Sequence, residues 1–233
     1  MIICLETATN LCSVALCDSS GVISLRESDD QKSHASLLTV FIDEVLKENN
    51  LRAKDLNAVA VSKGPGSYTG LRIGVSVAKG IAYGLSIPLV GIETLFSMFW
   101  GISGNKNINS YDNKNTLFCP MLDARRMEVY YAIYNAEGKI IKNISAEIIT
   151  EDTFSSVHES QKIILFGTGA SKCKETITRK NIHFEDDFHM SASHMYRPVY
   201  DAIKDLRYEN VAYFEPYYLK DFITSKPRKN ILG

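Results

Sequence analysis

Short apolar runs and longer helical patterns alternate through the first hundred residues. β-type runs cover Ile2 to Leu5, Ser13 to Cys17 and Val22 to Leu25, with polar turns between them. Three strands in such close succession predict an antiparallel meander. Apolar residues at helical spacing then predict a helix that is capped by Ser33 and ends at Glu48.

The stretch from Lys63 to Gly74 joins a predicted strand at Val59 to Val61 to a predicted helix that reaches Leu85. Two glycines bracket a proline in this loop, and Ser67 or Thr69 is placed to cap the helix. A glycine loop before a helix N-terminus can bind phosphate. The spacing, however, matches neither the Walker A loop nor the dinucleotide fingerprint. Two interpretations follow, direct phosphate contact or a structural turn that sets helix packing.

The helix after this loop is apolar around more than half of its circumference. At 100° per residue, its polar side carries Arg72, Ser76, Lys79 and Tyr83. Within the apolar arc, small residues recur every four positions, at Gly70, Gly74, Ala78 and Ala82. Such a ridge permits close approach of another element. The ridge is predicted to contact either a helix of a partner or a neighbouring helix or sheet of the same chain.

Composition changes between Ser103 and Asn115, where Gly, Asn, Lys, Asp and Ser replace large apolar residues. The sequence therefore predicts a first domain at 1–103, a linker at 104–115 and a smaller second domain at 116–233, with a late helix that can cross back to the first. Further predicted elements are strands at Leu117 to Leu122, Glu128 to Tyr134 and Ile163 to Phe166, helical segments between Ala192 and Leu206, an edge strand or extended segment at Val211 to Leu219, and a frayed end from Ser225.

Overall composition is that of a soluble globular protein without a membrane span. The 233 residues are 45% hydrophobic and 23% charged, with no basic leader at the start. The net charge of −1 disfavours nucleic-acid binding by the chain alone, although a local basic patch remains compatible with it. Five cysteines without a Cys-x-x-Cys pair favour a reducing, cytoplasmic location.

Candidate chemistry is sparse in the sequence. The two closest histidines, His189 and His194, are five residues apart and would not share a helix face, so no metal site is predicted. No Gly-x-Ser-x-Gly elbow is present, and no catalytic residue is assigned. The densest charged cluster consists of Asp123, Arg125, Arg126 and Glu128. It is interpreted either as a solvated hairpin tip or, together with Arg72, as a docking surface for a partner or for RNA phosphate.

Several segments together resemble the TsaB (YeaZ) family nearly end to end. They are Leu5 to Thr9, Cys12 to Leu16, His34, Lys63 to Gly74, Asp123 to Tyr130, Phe166 to Gly169 and Glu215 to Lys220. The most specific are Gly64 to Arg72 and Asp123 to Tyr130.

The resemblance implies an α/β fold with two domains of the actin, Hsp70 and sugar-kinase type (ASKHA, ribonuclease H-like), each a mixed sheet flanked by helices. It implies a non-catalytic subunit in bacterial synthesis of N6-threonylcarbamoyladenosine (t6A) in tRNA. This subunit forms a heterodimer with the catalytic TsaD, is joined by the ATPase TsaE and meets tRNA through the complex. No directly bound cofactor is expected, because ATP and a metal are used by the other subunits. No membrane partner is expected.

The resemblance also implies an interface on the first two helices of the N-terminal domain. Mapped here, this interface comprises His34, Leu38, Phe41, Ile42, Gly70, Gly74, Ala78 and Ala82. The isolated chain is expected to form a homodimer through the same uncovered helices.

Two positions depart from the family pattern. Glu6 stands where the superfamily usually has Asp in its first phosphate loop. Lys220 replaces an Arg, so the planar guanidinium that can form two parallel hydrogen bonds is replaced by a single ammonium charge. The remnant of the nucleotide loops comprises Glu6, Thr7, Thr9, Gly167, Thr168 and Gly169.

The alternative functions are an ASKHA-type small-molecule kinase or ATPase using the interdomain cleft and, more remotely, the M22 glycopeptidase of older annotation.

Overall fold

Two five-stranded sheets form the framework of the chain. The computed structural model describes residues 1–30, 34–103 and 115–220, and the side chain of His34 lies outside this description. The predicted N-cap Ser33, all but the last residue of the predicted linker 104–115 and the end predicted to fray from Ser225 also lie outside the described residues.

The first sheet combines an antiparallel meander with two parallel strands. Its strands are β1 (Ile2–Glu6), β2 (Cys12–Asp18), β3 (Gly21–Ser28), β4 (Ala58–Gly64) and β5 (Leu89–Glu93). They lie in the order β3-β2-β1-β4-β5, with β1, β2 and β3 antiparallel and β4 and β5 parallel to β1. In β1, the side chains of Ile3 and Leu5 pack in a hydrophobic cluster on one face of the sheet. The side chain of Cys4 packs in a second cluster on the opposite face, so the strand is covered on both faces.

Helices cover both faces of this sheet. On one face lie α1 (His34–Glu48) and α2 (Tyr68–Leu85), which bury Leu38, Val45 and Val75 against it. On the other face lie a short 3-10 helix (Ala192–Met195) and α4 (Tyr196–Lys204), which contribute Met195 and Val199. A late part of the chain therefore packs against the first sheet, while the domain boundaries stay a prediction.

The second sheet repeats the topology of the first. Its strands are β6 (Thr116–Asp123), β7 (Glu128–Asn135), β8 (Ile140–Ile148), β9 (Lys162–Phe166) and β10 (Ile182–Glu185), in the order β10-β9-β6-β7-β8. Strands β6, β7 and β8 are antiparallel, and β9 and β10 run parallel to β6. Helix α3 (Thr94–Ser103) packs Met98 and Phe99 against Phe118 and Phe166 of this sheet.

Residues 205–220, called the strap here, return from α4 along the first sheet. The backbone N–H of Glu209 donates to Leu89 O at 2.8 Å, and that of Tyr217 donates to Lys63 O at 2.6 Å. The ammonium of Lys79 donates to the carbonyl oxygens of Ala212, at 3.2 Å, and Phe214, at 2.9 Å. The strand alternative for this segment was wrong, because these are isolated bonds rather than a ladder.

Of the helices in the described ranges, none combines the length and apolar character that a membrane crossing requires.

Candidate functional site

The loop before α2 packs against backbone carbonyls of the β1–β2 loop. Ser67 caps the helix by accepting a hydrogen bond from Gly70 N at 3.3 Å, as predicted for Ser67 or Thr69. The N–H of Ser67 donates to Ala8 O at 2.7 Å. A β-carbon built on Gly66 would lie 2.4 Å from Ala8 O. The loop thus meets acceptor oxygens of its own chain, which supports the structural-turn interpretation.

The small-residue ridge of α2 faces the chain's own sheet. All four members, Gly70, Gly74, Ala78 and Ala82, are buried. A β-carbon on Gly74 would lie 2.3 Å from Thr7 Oγ1 and 3.3 Å from Val61 Cγ2, so there is no room for a partner. The assignment of these four residues to a partner interface was wrong. The same-chain alternative is the correct one, because the ridge permits close helix–sheet packing.

The interface residues predicted on α1 differ in how deeply they are buried. Leu38 is fully buried in the core, so its assignment to the interface was also wrong. Phe41 and Ile42 are half-buried and pack against that core. The side chain of His34 lies outside the described residues.

A groove between α1 and α2 opens on the side of α2 that faces away from the sheet. It encloses about 470 Å³. Its lining residues are Ala35, Tyr68, Thr69, Arg72, Ile73, Ser76 and Val77. Ile73 and Val77 are half-buried and form its apolar floor, whereas Arg72 and Ser76 are exposed. Sequence reasoning placed Ile73 and Val77 in the apolar arc but did not single them out, although their position at the edge of that arc was a usable signal.

An aromatic pair borders this groove at the start of α2. The rings of Tyr68 and Tyr218, which belongs to the strap, lie 4.9 Å apart between centroids. The guanidinium of Arg72 stacks over the ring of Tyr68 at 5.4 Å. The strap therefore packs against Tyr68 at one end of the groove.

The predicted nucleotide-loop residues of the first half have internal partners. The side chain of Glu6 is fully buried and accepts hydrogen bonds from the Ser62 hydroxyl and, at 2.7 Å, from Ala8 N. Burial raises the pKa of Glu6 to about 7, although these hydrogen bonds oppose the shift. The hydroxyl of Thr7 donates to Gly70 O at 2.8 Å, and that of Thr9 accepts from Leu11 N at 3.3 Å. The carboxylate of Glu6 thus points into the protein.

The glycine turn of the second half is bound to β6. Thr168 Oγ1 accepts a hydrogen bond from Asp123 N at 3.2 Å, and Gly169 N donates to Met121 O at 3.0 Å. Gly167 has a φ of 94°, which favours glycine. The nucleotide-loop role of Gly167, Thr168 and Gly169 stays a prediction.

The charged tip between β6 and β7 is a tight turn in which both acids are paired. Arg125 and Arg126 adopt φ values of 68° and 52° and are exposed. The ammonium of Lys172 lies 2.5 Å from a carboxylate oxygen of Asp123. Lys220 of the strap pairs with Glu128, so the point charge that replaces the family's Arg has a partner within the chain. The docking role of Asp123, Arg125, Arg126 and Glu128, together with Arg72, stays a prediction.

The described part of the chain does not bring together side chains that could jointly bind a metal ion. Within residues 1–30, 34–103 and 115–220, no three His, Cys, Asp or Glu side chains form a group that could hold a metal ion.

Residues 27–220 match the family model described as TsaD: tRNA N6-adenosine threonylcarbamoyltransferase. The TsaB protein of Buchnera aphidicola subsp. Schizaphis graminum is 32% identical over 75% of this chain and 81% of its own length. The chain belongs to the TsaB (YeaZ) family. The TsaB protein of Escherichia coli is 33% identical over 58% of this chain, and the chain spans 55% of the length of that relative.

Solved structures with the same fold support the predicted architecture. YeaZ from Pseudomonas aeruginosa superposes with a TM-score of 0.78 at 21% identity, over 94% of this chain and 99% of the other. A Listeria monocytogenes protein described as an N-acetylmannosamine kinase superposes with a TM-score of 0.51 at 11% identity, over 88% of this chain and 99% of the other. At these identities the likeness concerns the fold alone. The prediction of an α/β fold of the ASKHA type is confirmed.

Proposed function

We propose that this TsaB-family chain is a non-catalytic subunit of the assembly that makes threonylcarbamoyladenosine in tRNA. In this role it binds a TsaD subunit, and TsaE joins the pair. The relatives from Escherichia coli and Buchnera aphidicola are named tRNA threonylcarbamoyladenosine biosynthesis protein TsaB, which supports this pathway. The proposal leaves ATP and metal chemistry to the other subunits.

The observation that carries this proposal is the open groove between α1 and α2. Its floor of Ile73 and Val77 is apolar, and removal of that surface from water would favour association by about 25 cal/mol per Å². Exposed Arg72, Ser76 and Thr69 surround the floor with polar groups, as in the rim of a protein interface.

A TsaD subunit is a suitable occupant because the family model of TsaD matches this chain over residues 27–220, which include α1 and α2. Two related folds can pair through equivalent helices around an approximate twofold axis. The same geometry would allow two copies of the isolated chain to pair with each other. The interface proposed here is thus the outer side of α2, while its small-residue ridge holds the helix on the sheet.

The kinase or ATPase alternative lacks a comparable observation. The buried carboxylate of Glu6 is engaged by Ser62 and Ala8, and the N-terminal turn of α2 faces carbonyl oxygens. A polyphosphate at that position would meet acceptors where it needs donors.

Ser76→Arg tests the groove because this exposed residue can change without disturbing the core. The new side chain would fill the groove and weaken binding to the cognate TsaD by at least about tenfold, measured by calorimetry. Ser156→Arg, on an exposed turn of the second half, is the matched control and should bind like the original chain. Equal binding by both variants would exclude the groove as the interface.

The function itself is tested by reconstitution with TsaD, TsaE, threonine, bicarbonate, ATP and tRNA. Omission of this chain should abolish formation of the modified nucleoside, and the Ser76→Arg variant should restore it poorly. Product formation at the same rate without the chain would refute the proposed function.

A further inference from the structure

A second pocket lies between the two halves of the chain and encloses about 200 Å³. Its walls come from three separate parts of the sequence. They include Glu93 at the end of β5, Ala132 and Tyr134 on β7, Asn143 and Ile144 on β8, and Tyr217 of the strap. The residues of the predicted nucleotide loops and of the α1–α2 groove do not line it.

The hydroxyl of Tyr134 lacks a hydrogen-bond partner among the described residues, although its side chain is fully buried. The ring is held by Phe96 and Phe99, whose centroids lie 5.7 and 5.3 Å away. This packing fixes the position of the oxygen. Buried hydroxyls are normally paired, because an unpaired one loses its bond to water without compensation.

The carboxylate of Glu93 is the charged group of this pocket that has no counter-charge paired with it among the described residues. Lys142 also lines it, but its ammonium is 2.9 Å from a carboxylate oxygen of Glu147 and is therefore already paired. The side chain of Glu93 makes no ion pair or hydrogen bond within the described ranges, whereas its backbone pairs with Gly64 in the first sheet. Glu93 and Tyr134 line the same pocket of about 200 Å³. Burial and, secondly, the charge of Glu93 raise the pKa of Tyr134.

We propose that this pocket binds a small primary ammonium compound. Its ammonium group would donate to the carboxylate of Glu93 and to the hydroxyl oxygen of Tyr134. An ammonium carries three donors and can serve both acceptors at once. Its carbon skeleton would lie against Ala132, Ile144 and the ring of Tyr217. Because a water occupies about 30 Å³ in the liquid, a pocket of about 200 Å³ suits a ligand of about five to seven non-hydrogen atoms.

Three probes with one carbon skeleton test the head group directly. Isobutylammonium, isobutyrate and isobutanol would be titrated into the isotope-labelled full chain and followed by NMR. We expect isobutylammonium to shift the resonances of Ala132, Tyr134 and Tyr217, with a Kd on the order of 1 mM for so small a ligand. The other two probes should bind at least about tenfold more weakly, since isobutyrate would meet Glu93 as a like charge.

Two conservative variants identify the groups that bind the ammonium. Glu93→Gln should weaken isobutylammonium binding at least about tenfold, and Tyr134→Phe, which keeps the ring, about three- to tenfold. Glu137→Gln, on an exposed turn outside the pocket, should leave binding unchanged. Circular dichroism would confirm that each variant folds. Equal binding of all three probes, unchanged binding by both pocket variants, or no shift at the pocket would each overturn the proposal.

Discussion

The hydroxyl of Thr7 donates a hydrogen bond to Gly70 O at 2.8 Å, and Thr7 O in turn lies against the α-carbon of Gly70. A β-carbon at that glycine would approach Thr7 O to 2.0 Å. These two contacts hold the start of α2 on the end of β1. The loop that resembles a phosphate cradle is therefore filled by the chain itself, and α2 is held with its opposite side toward the groove.

Gly74→Ala is expected to destabilise the fold, because the new methyl group would overlap Thr7 Oγ1 in a packed helix–sheet contact. Overpacking of this kind costs about 1–3 kcal/mol. Gly80→Ala is the matched control on the same helix, at an exposed position with no described atom within 4 Å of the new group. It should stabilise the protein by up to about 1 kcal/mol through helix propensity.

Urea unfolding of both glycine variants measures this difference. If the two substitutions changed the free energy of unfolding by the same amount and sign, the close contact between α2 and Thr7 would not be a determinant of the fold.

The period of apolar residues was sufficient to predict most elements of the first half. The meander, the cap at Ser67 and the polar side of α2 at Arg72, Ser76 and Tyr83 are confirmed. Strand β10 was missed because its four residues, Ile182–Glu185, pair only with β9 at the sheet edge and carry a mixed polar pattern. Short edge strands lack the continuous apolar run that marks a central strand.

The candidate site was harder to predict because periodicity shows that a helix face is buried but not what covers it. The ridge through Gly74 could equally have met a partner or the chain's own sheet. The pairing of Tyr68 with Tyr218 and the pocket around Tyr134 join residues that are distant in sequence. No local pattern encodes such contacts, so they became visible only in the folded chain.

Glu6 should make the protein less stable as the pH rises. Its pKa is about 7 in the folded state because of burial, compared with 4.5 for an ordinary glutamate. The folded state therefore holds the proton more tightly. Its stabilising contribution is complete below about pH 4.5 and is lost as the pH rises toward 7, by on the order of 3 kcal/mol.

Glu6→Gln removes this titration while keeping an acceptor for Ser62. The free energy of unfolding of the original chain, relative to this variant, should fall between pH 4.5 and 7 and stay constant above that. Glu137→Gln, at an exposed position, is the matched control. A constant difference between the original chain and Glu6→Gln across this range would show that the carboxyl titrates normally in the folded protein.

His194 should have the opposite effect on stability in nearly the same pH range. Its ring packs against Gly101 and lies 5.5 Å from the ring of Phe188, and its Nδ1 has no hydrogen-bond partner in the described part of the chain. Burial lowers the pKa of His194 to about 4, against a smaller opposing effect of the charge of Glu27. The folded state thus favours the neutral ring. The resulting stabilisation is present above about pH 6.5 and is lost as the pH falls toward 4, by on the order of 3 kcal/mol.

His194→Gln separates this effect from that of Glu6, because glutamine cannot gain a proton in this range. The stability of the original chain relative to the variant should rise from pH 4 to 6.5 and then become constant, as measured by urea unfolding at intervals of pH. His158→Gln, at an exposed position, is the matched control. NMR titration of the His194 ring gives an independent measurement. Protonation of that ring near pH 6.5 in the folded protein would contradict its burial as a neutral group.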